Sequence, residues 1–253
     1  MIYFSIDLEF WYNSPLLKKT IYKEYPDYME ETVDFLLKKL KNTNNKATFF
    51  VLGSVCEKYP KLIRKIALHG HEIAFHSYDH KLLNNKDKDE YYKECLYWKN
   101  EIERVSGKKV YGHRAPAWSY TNWLYDVLEK CDFKYDSSKN ELRFHKAFKE
   151  NKYNIKEYIV RNFGFGYFSI PFAGSIFFRI IPYFILRFII KYNEKKFKNV
   201  IIYTHPWEFF DSSWIKSFKL PVFFKLYNFS FIKNNRKKLN KLLLDFKTES
   251  FYK

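Results

Sequence analysis

The sequence predicts an α/β fold, a closed or distorted (β/α) barrel formed by a single domain over residues 1–253. Short apolar runs alternate along the chain with segments whose apolar residues recur at helical spacing, which is typical of βαβ units around a parallel sheet. No linker rich in Ser, Gly or Pro and no internal repeat divides the chain. With 253 residues, 47% of them hydrophobic, the chain is long enough for one large buried core.

The predicted strands are short apolar runs, and each is followed by polar or turn-forming residues. Runs of this length and composition are typical of strands that are buried on both faces of a parallel sheet. In chain order they are residues 2–6, "ATFFVLG" at 47–53, "EIAF" at 72–75, the strand and loop "VYGHRAP" at 110–116, the strand end "FKYDSS" at 133–138 and "NVIIYTHPW" at 199–207.

The predicted helices lie between these strands, and two of them have recognisable capping residues. Asp27 is the expected N-cap of the first helix, and Pro60 and Gly70 mark the start and the end of the second. The helical segments are residues 27–42, 60–70, 87–106, 121–131 and 235–246. Their alternation with the strands supports a parallel α/β arrangement.

Ionisable side chains follow five of the predicted strands at their carboxyl ends. In a parallel α/β barrel these ends meet on one face of the sheet, where active sites lie. We therefore expect these side chains to lie close together. They are Asp7 and Glu9 after the first strand, His76 after "EIAF", Arg114 after "VYGH", Asp136 after "FKY" and His205 after "VIIYT".

The types and spacing of these residues indicate a metal site. Asp7 and Glu9 alternate along a strand and share one face, where two carboxylates repel unless a cation or a shared proton intervenes. His76 and His80 lie four residues apart, which would bring both imidazoles to one side of a helix. Two imidazoles and a carboxylate suit zinc and related divalent metals, and the second carboxylate remains for general-base chemistry. A strand-end cap and a pair of surface histidines are the alternatives.

Three further residues have both a chemical and a purely structural interpretation. The planar cation of Arg114 could hold a carboxylate ionised and oriented, or it could form a surface salt bridge. His205 could serve as an acid if Asp136 oriented it and raised its pKa. The alternatives are a core histidine at position 205 and a turn cap at position 136.

Composition excludes several classes of protein. The three cysteines, Cys56, Cys95 and Cys131, are widely spaced and form no C-x-x-C pair, which favours a reducing compartment over a disulfide framework. The N-terminal residues have the pattern of a strand and not of a signal peptide. No uncharged apolar stretch has the length of a membrane-spanning helix. We therefore expect a cytoplasmic protein.

The net charge of +17 indicates either an anionic partner or a solvated lysine-rich surface. Residues 178–192 are rich in Ile and Phe and include Arg179, Arg187 and Lys191. This stretch fits either a core helix or a helix that lies at the interface of an anionic membrane, which would place the protein at the inner face of the membrane. No nucleic-acid-binding motif accompanies the charge, so nucleic acid is not an expected partner. The oligomeric state stays open.

Five motifs, taken in order, resemble the polysaccharide deacetylase family, the NodB-homology group of carbohydrate esterase family 4. They are "SIDLE", "GHEIAFHSYDH", "RAPAWS", "YDSS" and "YTHPWEF". The later stretches "PFAGSIFFRIIPYFILRFIIKY", "FKLYN" and "LLLDF" are similar to a branch found in gene sets for exopolysaccharides and surface glycans. The resemblance implies a distorted (β/α) barrel. It also implies a divalent metal, usually zinc, and removal of N- or O-acetyl groups from sugars of a polysaccharide or a lipid-linked glycan intermediate.

The resemblance also implies a role for each site residue. The sequence departs from the family pattern at Leu8, where many members carry a second Asp that binds the metal. Glu9 becomes the candidate ligand because it shares the face of Asp7. The implied metal ligands are therefore His76, His80 and Glu9. Asp7 is the implied general base, with Arg114 orienting it. The backbone N–H of Ala117 is implied to bind the oxyanion, and His205 to act as general acid, tuned by Asp136.

Two other functions remain open at this point. One is a deformylase or another hydrolase of non-peptide C–N bonds on the same scaffold. The other is a glycan-binding protein that has lost its catalytic activity. The complete set of polar residues at the strand ends favours an enzyme.

Overall fold

A curled parallel sheet forms the centre of the fold in the computed structural model, which describes residues 1–13, 26–141, 153–165 and 168–252. The strands are β1 (Ile2–Leu8), β2 (Thr48–Val51), β3 (Glu72–Phe75), β4 (Gly112–His113), β5 (Tyr135–Asp136), β6 (Lys156–Glu157), β7 (Phe163–Phe165), β8 (Phe168–Ile170), β9 (Val200–Thr204) and β10 (Thr248–Glu249). Within the described residues, all of these except β7 and β8 belong to the parallel sheet, and β7 and β8 form a separate antiparallel pair.

Strand β1 lies at the centre of this sheet and is buried along its whole length. One edge of β1 pairs with β9 over Ile2–Ile6, and the other pairs with β10 near its start and with β2 over Ser5–Leu8. From β2 the sheet continues through β3, β4 and β5 to β6. The predicted α/β barrel class is confirmed, and the sheet is a half-barrel in which each described strand pair is parallel.

The helices surround the sheet and bury their apolar faces against it. They are α1 (Met29–Asn42), α2 (Gly53–Lys58), α3 (Pro60–Leu68), α4 (Lys88–Ser106), α5 (Leu124–Lys130), α6 (Ser175–Ile180), α7 (Tyr183–Phe197), α8 (Val222–Phe229) and α9 (Ile232–Asp245). Helix α4 begins where the Asp87 side chain accepts N–H groups at 2.8 and 3.2 Å, and it ends at Gly107 with a left-handed φ of 68°.

Several predicted helix boundaries differ from the structure by one to three residues, since the helices predicted at 121–131 and 235–246 are Leu124–Lys130 and Ile232–Asp245, and two predictions are wrong in kind. Tyr28, and not Asp27, occupies the N-cap position of α1, because Tyr28 adopts a left-handed φ of 48°. Asp27 nevertheless accepts the N–H of Met29 at 3.1 Å and pairs with Lys58. Residues 178–192 do not form one helix. Helix α6 ends before Pro182 and α7 begins after it. The break lies here because proline cannot donate the hydrogen bond that a continuous helix would require.

Candidate metal centre and active site

The structure confirms that the predicted polar residues gather at the carboxyl ends of the strands. Asp7 lies near the end of β1 and Glu9 follows it, while His76, Arg114 and His205 directly follow β3, β4 and β9. Each of these side chains is buried, with no more than 8% of the residue exposed. Buried charges of this kind must be paired or must hold a cation.

Glu9, His76 and His80 form a group that could hold a metal ion. One ligand atom from each residue lies within 4.8 Å of the others. The Nε2 atoms of His80 and His76 lie 2.5 and 3.8 Å from Glu9 Oε2. Two nitrogen ligands and one carboxylate oxygen match the protein ligands of catalytic zinc sites, which keep a further position open. Within the described residues, Asp7 is not part of this group.

The hydrogen bond of His76 points its free nitrogen towards Glu9. Its Nδ1 lies 2.6 Å from the backbone carbonyl of Arg114. Because a carbonyl can only accept, Nδ1 carries the hydrogen and Nε2 offers its lone pair to the centre of the group. A ring nitrogen held by a carbonyl in this way is the usual support of a metal-bound histidine.

A loop, and not a helix, brings His76 and His80 together. Ser77 and His80 adopt left-handed φ values of 68° and 60°, which turn the chain so that the two rings lie 5.4 Å apart. The loop is held by the start of α2, where the N–H of Gly53 donates to the carbonyl of Ser77 at 2.9 Å. The helical conformation predicted for residues 76–80 is therefore wrong, although the two imidazole rings do lie close together.

The carboxylate of Glu9 has the properties of a cation ligand. Burial disfavours its charged form, but His80, His76 and His205 together hold the pKa of Glu9 well below its usual range. Glu9 Oε2 approaches His80 without the alignment of an N–H···O bond, and it has no hydrogen-bond partner among the described residues. An ionised, buried oxygen without a donor fits a metal ion at this position.

Asp7 has a different partner from Glu9. Arg114 donates from Nη1 to Asp7 Oδ1 at 2.6 Å and to Ser5 Oγ at 3.0 Å. Arg114 is itself fully buried, and its guanidinium lies 4.0 Å from the centre of the Phe50 ring. The two carboxylates of the first motif are thus separated, one with a guanidinium and the other with imidazoles.

The predicted contact between Asp136 and His205 is wrong. Asp136 Oδ1 lies 2.7 Å from His113 Nδ1 and accepts the Ser138 hydroxyl at 2.7 Å. Its strand, β5, pairs with β4, so its neighbour is the histidine of β4. Ser138 Oγ in turn accepts the N–H of Ala115 at 2.8 Å. Asp136 therefore supports the loop after β4 and does not reach His205.

Glu208 takes the place that was predicted for Asp136. His205 Nδ1 lies 2.8 Å from Glu208 Oε1, and the backbone N–H of His205 donates to the same oxygen at 3.0 Å. Burial disfavours the charged form of His205, but Glu208 outweighs this and raises the pKa of the imidazole. The sequence contains a signal for this contact, because an acid three residues after the N-cap residue of a helical turn has the spacing of a capping box.

Arg179 is a second residue that the sequence analysis did not connect with the site. Glu208 is fully buried, and its Oε2 lies 3.4 Å from Arg179 Nε. His205 Nε2 lies 3.7 Å from Glu9 Oε1, so this chain of contacts ends at the candidate metal ligand. No local sequence pattern predicts the contact between Arg179 and Glu208, because the two residues lie on different elements.

Ala117 lies in a strained turn beside these residues. It follows Arg114 in the 3₁₀ turn Pro116–Trp118, and both Ala117 and Trp118 have left-handed φ values, of 47° and 52°. Two consecutive non-glycine residues in this region are uncommon, and strained backbone of this kind is concentrated at functional sites.

Two family models match the chain. The model of the polysaccharide deacetylases matches residues 13–135, and that of a domain of unknown function, DUF3473, matches residues 134–253. The two histidines of the candidate metal site lie in the first matched segment, and His205, Glu208 and Arg179 lie in the second.

Characterised relatives match shorter segments. A peptidoglycan-N-acetylglucosamine deacetylase of Bacillus cereus is 40% identical over 72 residues, which are 28% of this chain and 26% of that protein. A chitooligosaccharide deacetylase of Azorhizobium caulinodans is 28% identical over 92 residues, which are 36% of this chain and 44% of that protein. The matched segments therefore span less than half of either relative.

Solved structures share the fold over nearly the whole chain. A Mycobacterium smegmatis structure assigned to the polysaccharide deacetylases covers 96% of this chain and 83% of its own, with a TM-score of 0.62 and 21% identity. The peptidoglycan deacetylase PdaC of Bacillus subtilis covers 99% of this chain and 86% of its own, with a TM-score of 0.52 and 15% identity. This likeness shows that the chain has the fold of these structures, and the matching family model assigns residues 13–135 to the polysaccharide deacetylase family.

Proposed function

We propose that this chain is a metal-dependent hydrolase that removes an N-acetyl or O-acetyl group from a sugar of a polysaccharide or a lipid-linked glycan intermediate. The observation that carries the proposal is the separation of the two carboxylates. Glu9 converges with His76 and His80, while Asp7 is bound by Arg114. A metal hydrolase whose metal is held by two histidines and a carboxylate can use a second, unligated carboxylate as its base. The deacetylase names of the relatives support the same reaction.

We further propose that the resident metal is zinc, with other divalent transition metals as alternatives, held by Glu9, His76 and His80. The donor set of two imidazoles and one carboxylate supports zinc. When bound, the metal would supply Lewis acidity, which polarises the acyl carbonyl and makes water a better nucleophile at neutral pH.

Asp7 acts as the general base in this proposal. It accepts the proton of the attacking water, a role that contributes roughly 10²- to 10⁴-fold to the rate. Arg114 is the positioning residue, because its buried guanidinium fixes one carboxylate oxygen at 2.6 Å and leaves the other for the proton. The left-handed turn at Ala117 supports a role for its N–H as a donor to the oxyanion.

His205 acts as the general acid and protonates the leaving nitrogen, because an amine leaves poorly unless it is protonated. Glu208, and not Asp136, holds the ring by its Nδ1 atom. A carboxylate in this position stabilises the imidazolium and presents Nε2 to the leaving group, as the orienting acid does in other His–carboxylate pairs.

We propose that residues 1–253 work as one catalytic domain in the cytoplasm, in the synthesis of a surface glycan. The site supports a single unit, because it combines residues from both matched segments. All three cysteines are free and buried, which supports a reducing compartment. No helix within the described residues has the length and apolar character needed to cross a bilayer.

Acetate release tests the proposal. The metal-loaded protein is expected to release acetate from at least one member of a panel of chitooligosaccharides, peptidoglycan fragments and lipid-linked N-acetyl sugars. A chelator should abolish release, added zinc should restore it, and Asp7→Asn should remove most of it. Formate from N-formyl analogues without acetate would instead identify a deformylase. Glycan binding by the metal-loaded protein without release of any acyl group would identify a non-catalytic binding protein.

A further inference from the structure

Exposed apolar side chains are concentrated in one part of the chain. Among the described residues, nine large apolar residues are at least 60% exposed, and six of them lie between positions 184 and 231. A soluble protein normally scatters such residues singly, whereas a cluster marks an interaction surface. The six residues are Phe184, Phe188, Val222, Phe223, Leu226 and Phe231.

Helices α7 and α8 each carry an apolar face on both sides. The inward face of α7 buries Leu186, Ile189 and Ile190, while Phe184 and Phe188, one helical turn apart, remain exposed. Helix α8 buries Phe224 and Phe229 and exposes Val222, Phe223 and Leu226. The core alternative for residues 178–192 therefore holds for the inner face of α7, and the membrane alternative stays a prediction that the apolar outer face leaves open.

The two exposed faces lie on neighbouring parts of the fold. The buried Arg179 of α6 donates to the backbone carbonyls of Tyr227 at 2.6 Å and of Ser230 at 3.1 Å, which holds the end of α8 against α6. Only two residues separate the end of α6 from the start of α7. We define the exposed apolar surface as Phe184 and Phe188 of α7, Val222, Phe223 and Leu226 of α8, and Phe231 at the start of α9.

Positive charge is concentrated in the same region. Residues 175–245 contain 14 Lys and Arg residues and 4 Asp and Glu residues, a net charge of +10 out of +17 for the whole chain. Lys191 on α7 and Lys216 before α8 are exposed, and Lys225 on α8 is partly exposed. Exposed aromatic and aliphatic residues with lysines on or next to the same helices are the pattern of proteins that lie on an anionic bilayer.

We propose that this exposed apolar surface binds the headgroup region of an anionic phospholipid bilayer. Apolar side chains enter the boundary between headgroups and acyl chains, and the surrounding lysines contact the lipid phosphates. Nucleic acid fits less well, because aliphatic residues such as Val222 and Leu226 add nothing to phosphate contacts or base stacking.

The position of this surface gives the binding a use in the proposed function. Helix α8 packs on the 3₁₀ turn Pro206–Phe209, which carries Glu208 and follows His205. A bilayer bound by α8 would therefore lie beside the carboxyl end of β9 and close to the active site. A glycan on a membrane-embedded lipid carrier would be presented there, so this part of the inference rests on the proposed deacetylase function.

Flotation of the full chain with vesicles tests the inference. The protein is expected to float with vesicles of phosphatidylglycerol and phosphatidylcholine at low salt, and to bind roughly tenfold less to pure phosphatidylcholine or in high salt. The double variant Phe223→Ser/Leu226→Ser should lose most of the binding. Leu68→Ser is the matched control, because Leu68 is 77% exposed on α3, and it should bind as the wild type does.

Three outcomes would overturn the inference. Wild-type protein that stays behind when anionic vesicles float at low salt would overturn it, and so would a Leu68→Ser variant that loses as much binding as the double variant. A change from dimer to monomer in Phe223→Ser/Leu226→Ser, measured by light scattering, would show that a second copy of the chain covers the surface. Acetate release from soluble chitooligosaccharides should be the same in the double variant and the wild type, which separates this test from that of the proposed function.

Discussion

The buried pair of Arg114 and Asp7 allows a quantitative prediction for Arg114→Met. Methionine keeps much of the apolar volume but removes the cation that lies 2.6 Å from Asp7 Oδ1. The two side chains are 0% and 4% exposed, so water cannot replace the lost partner. Removing one member of a buried ion pair costs about 3–5 kcal/mol of stability, because the remaining charge is left uncompensated.

The double variant Asp7→Asn/Arg114→Met should recover much of this loss. It buries neither charge, and an amide beside Met costs only the unmade hydrogen bonds, about 1–3 kcal/mol. Asp7→Asn alone leaves the guanidinium with the Ser5 hydroxyl at 3.0 Å and the Ser137 hydroxyl at 3.0 Å, so it should be less severe than Arg114→Met. We expect the double variant to be about 2 kcal/mol more stable than Arg114→Met.

Urea unfolding of the wild type, the two single variants and the double variant measures this coupling. The measurements belong in chelator, so that metal binding does not shift the free energy of unfolding. Costs that add to within about 0.5 kcal/mol would mean that the two side chains do not interact, and would refute the assignment of Arg114 as the partner of Asp7.

Three more predictions concern single substitutions. Glu208→Gln should keep its metal but lose about tenfold or more of its rate on N-acetyl sugars. The loss on nitrophenyl acetate should be smaller, because an activated alcohol leaves without an acid. Equal losses on both substrates would contradict the role given to His205. Burial raises the pKa of Glu72 to about 7, so its carboxyl stabilises the fold while protonated and this stability is lost as the pH rises from about 4.5 to 7. Glu72→Gln should therefore gain up to about 3 kcal/mol on the wild type between pH 5 and pH 8 in urea unfolding, and a constant difference would contradict this. In Gly174→Ala the new Cβ would lie 2.2 Å from the backbone oxygen of Tyr203. The urea midpoint should therefore fall by the equivalent of about 1–3 kcal/mol. An unchanged midpoint would contradict so close an approach of the two backbone segments.

The sequence correctly predicted which site residues lie at the carboxyl ends of the strands, because that prediction depends only on local patterns. Alternation along β1 placed Asp7 and Glu9 on one face, and apolar runs located the ends at His76 and Arg114. These patterns require no knowledge of which strands are neighbours. The same reasoning identified Glu9 as the candidate ligand despite Leu8, and Glu9 does converge with the histidines.

The partner of His205 could not be obtained in this way. Asp136 pairs with His113 because β5 lies next to β4, and the order of strands in a sheet is a property of long-range pairing. The contact between Glu208 and Arg179 joins residues 29 positions apart on separate elements, which no periodicity describes. His76 and His80 meet through a loop with left-handed residues, so the spacing was informative although its helical interpretation was wrong.

The metal content of three variants tests the central claim, that Glu9 binds a metal with His76 while Asp7 acts as a base apart from it. Elemental analysis of purified protein is expected to find about one divalent metal per chain in the wild type and in Asp7→Asn, since the three-ligand group does not include Asp7. Glu9→Gln and His76→Ala should retain little metal. Full metal content in His76→Ala, or loss of metal in Asp7→Asn with retention in Glu9→Gln, would contradict the account.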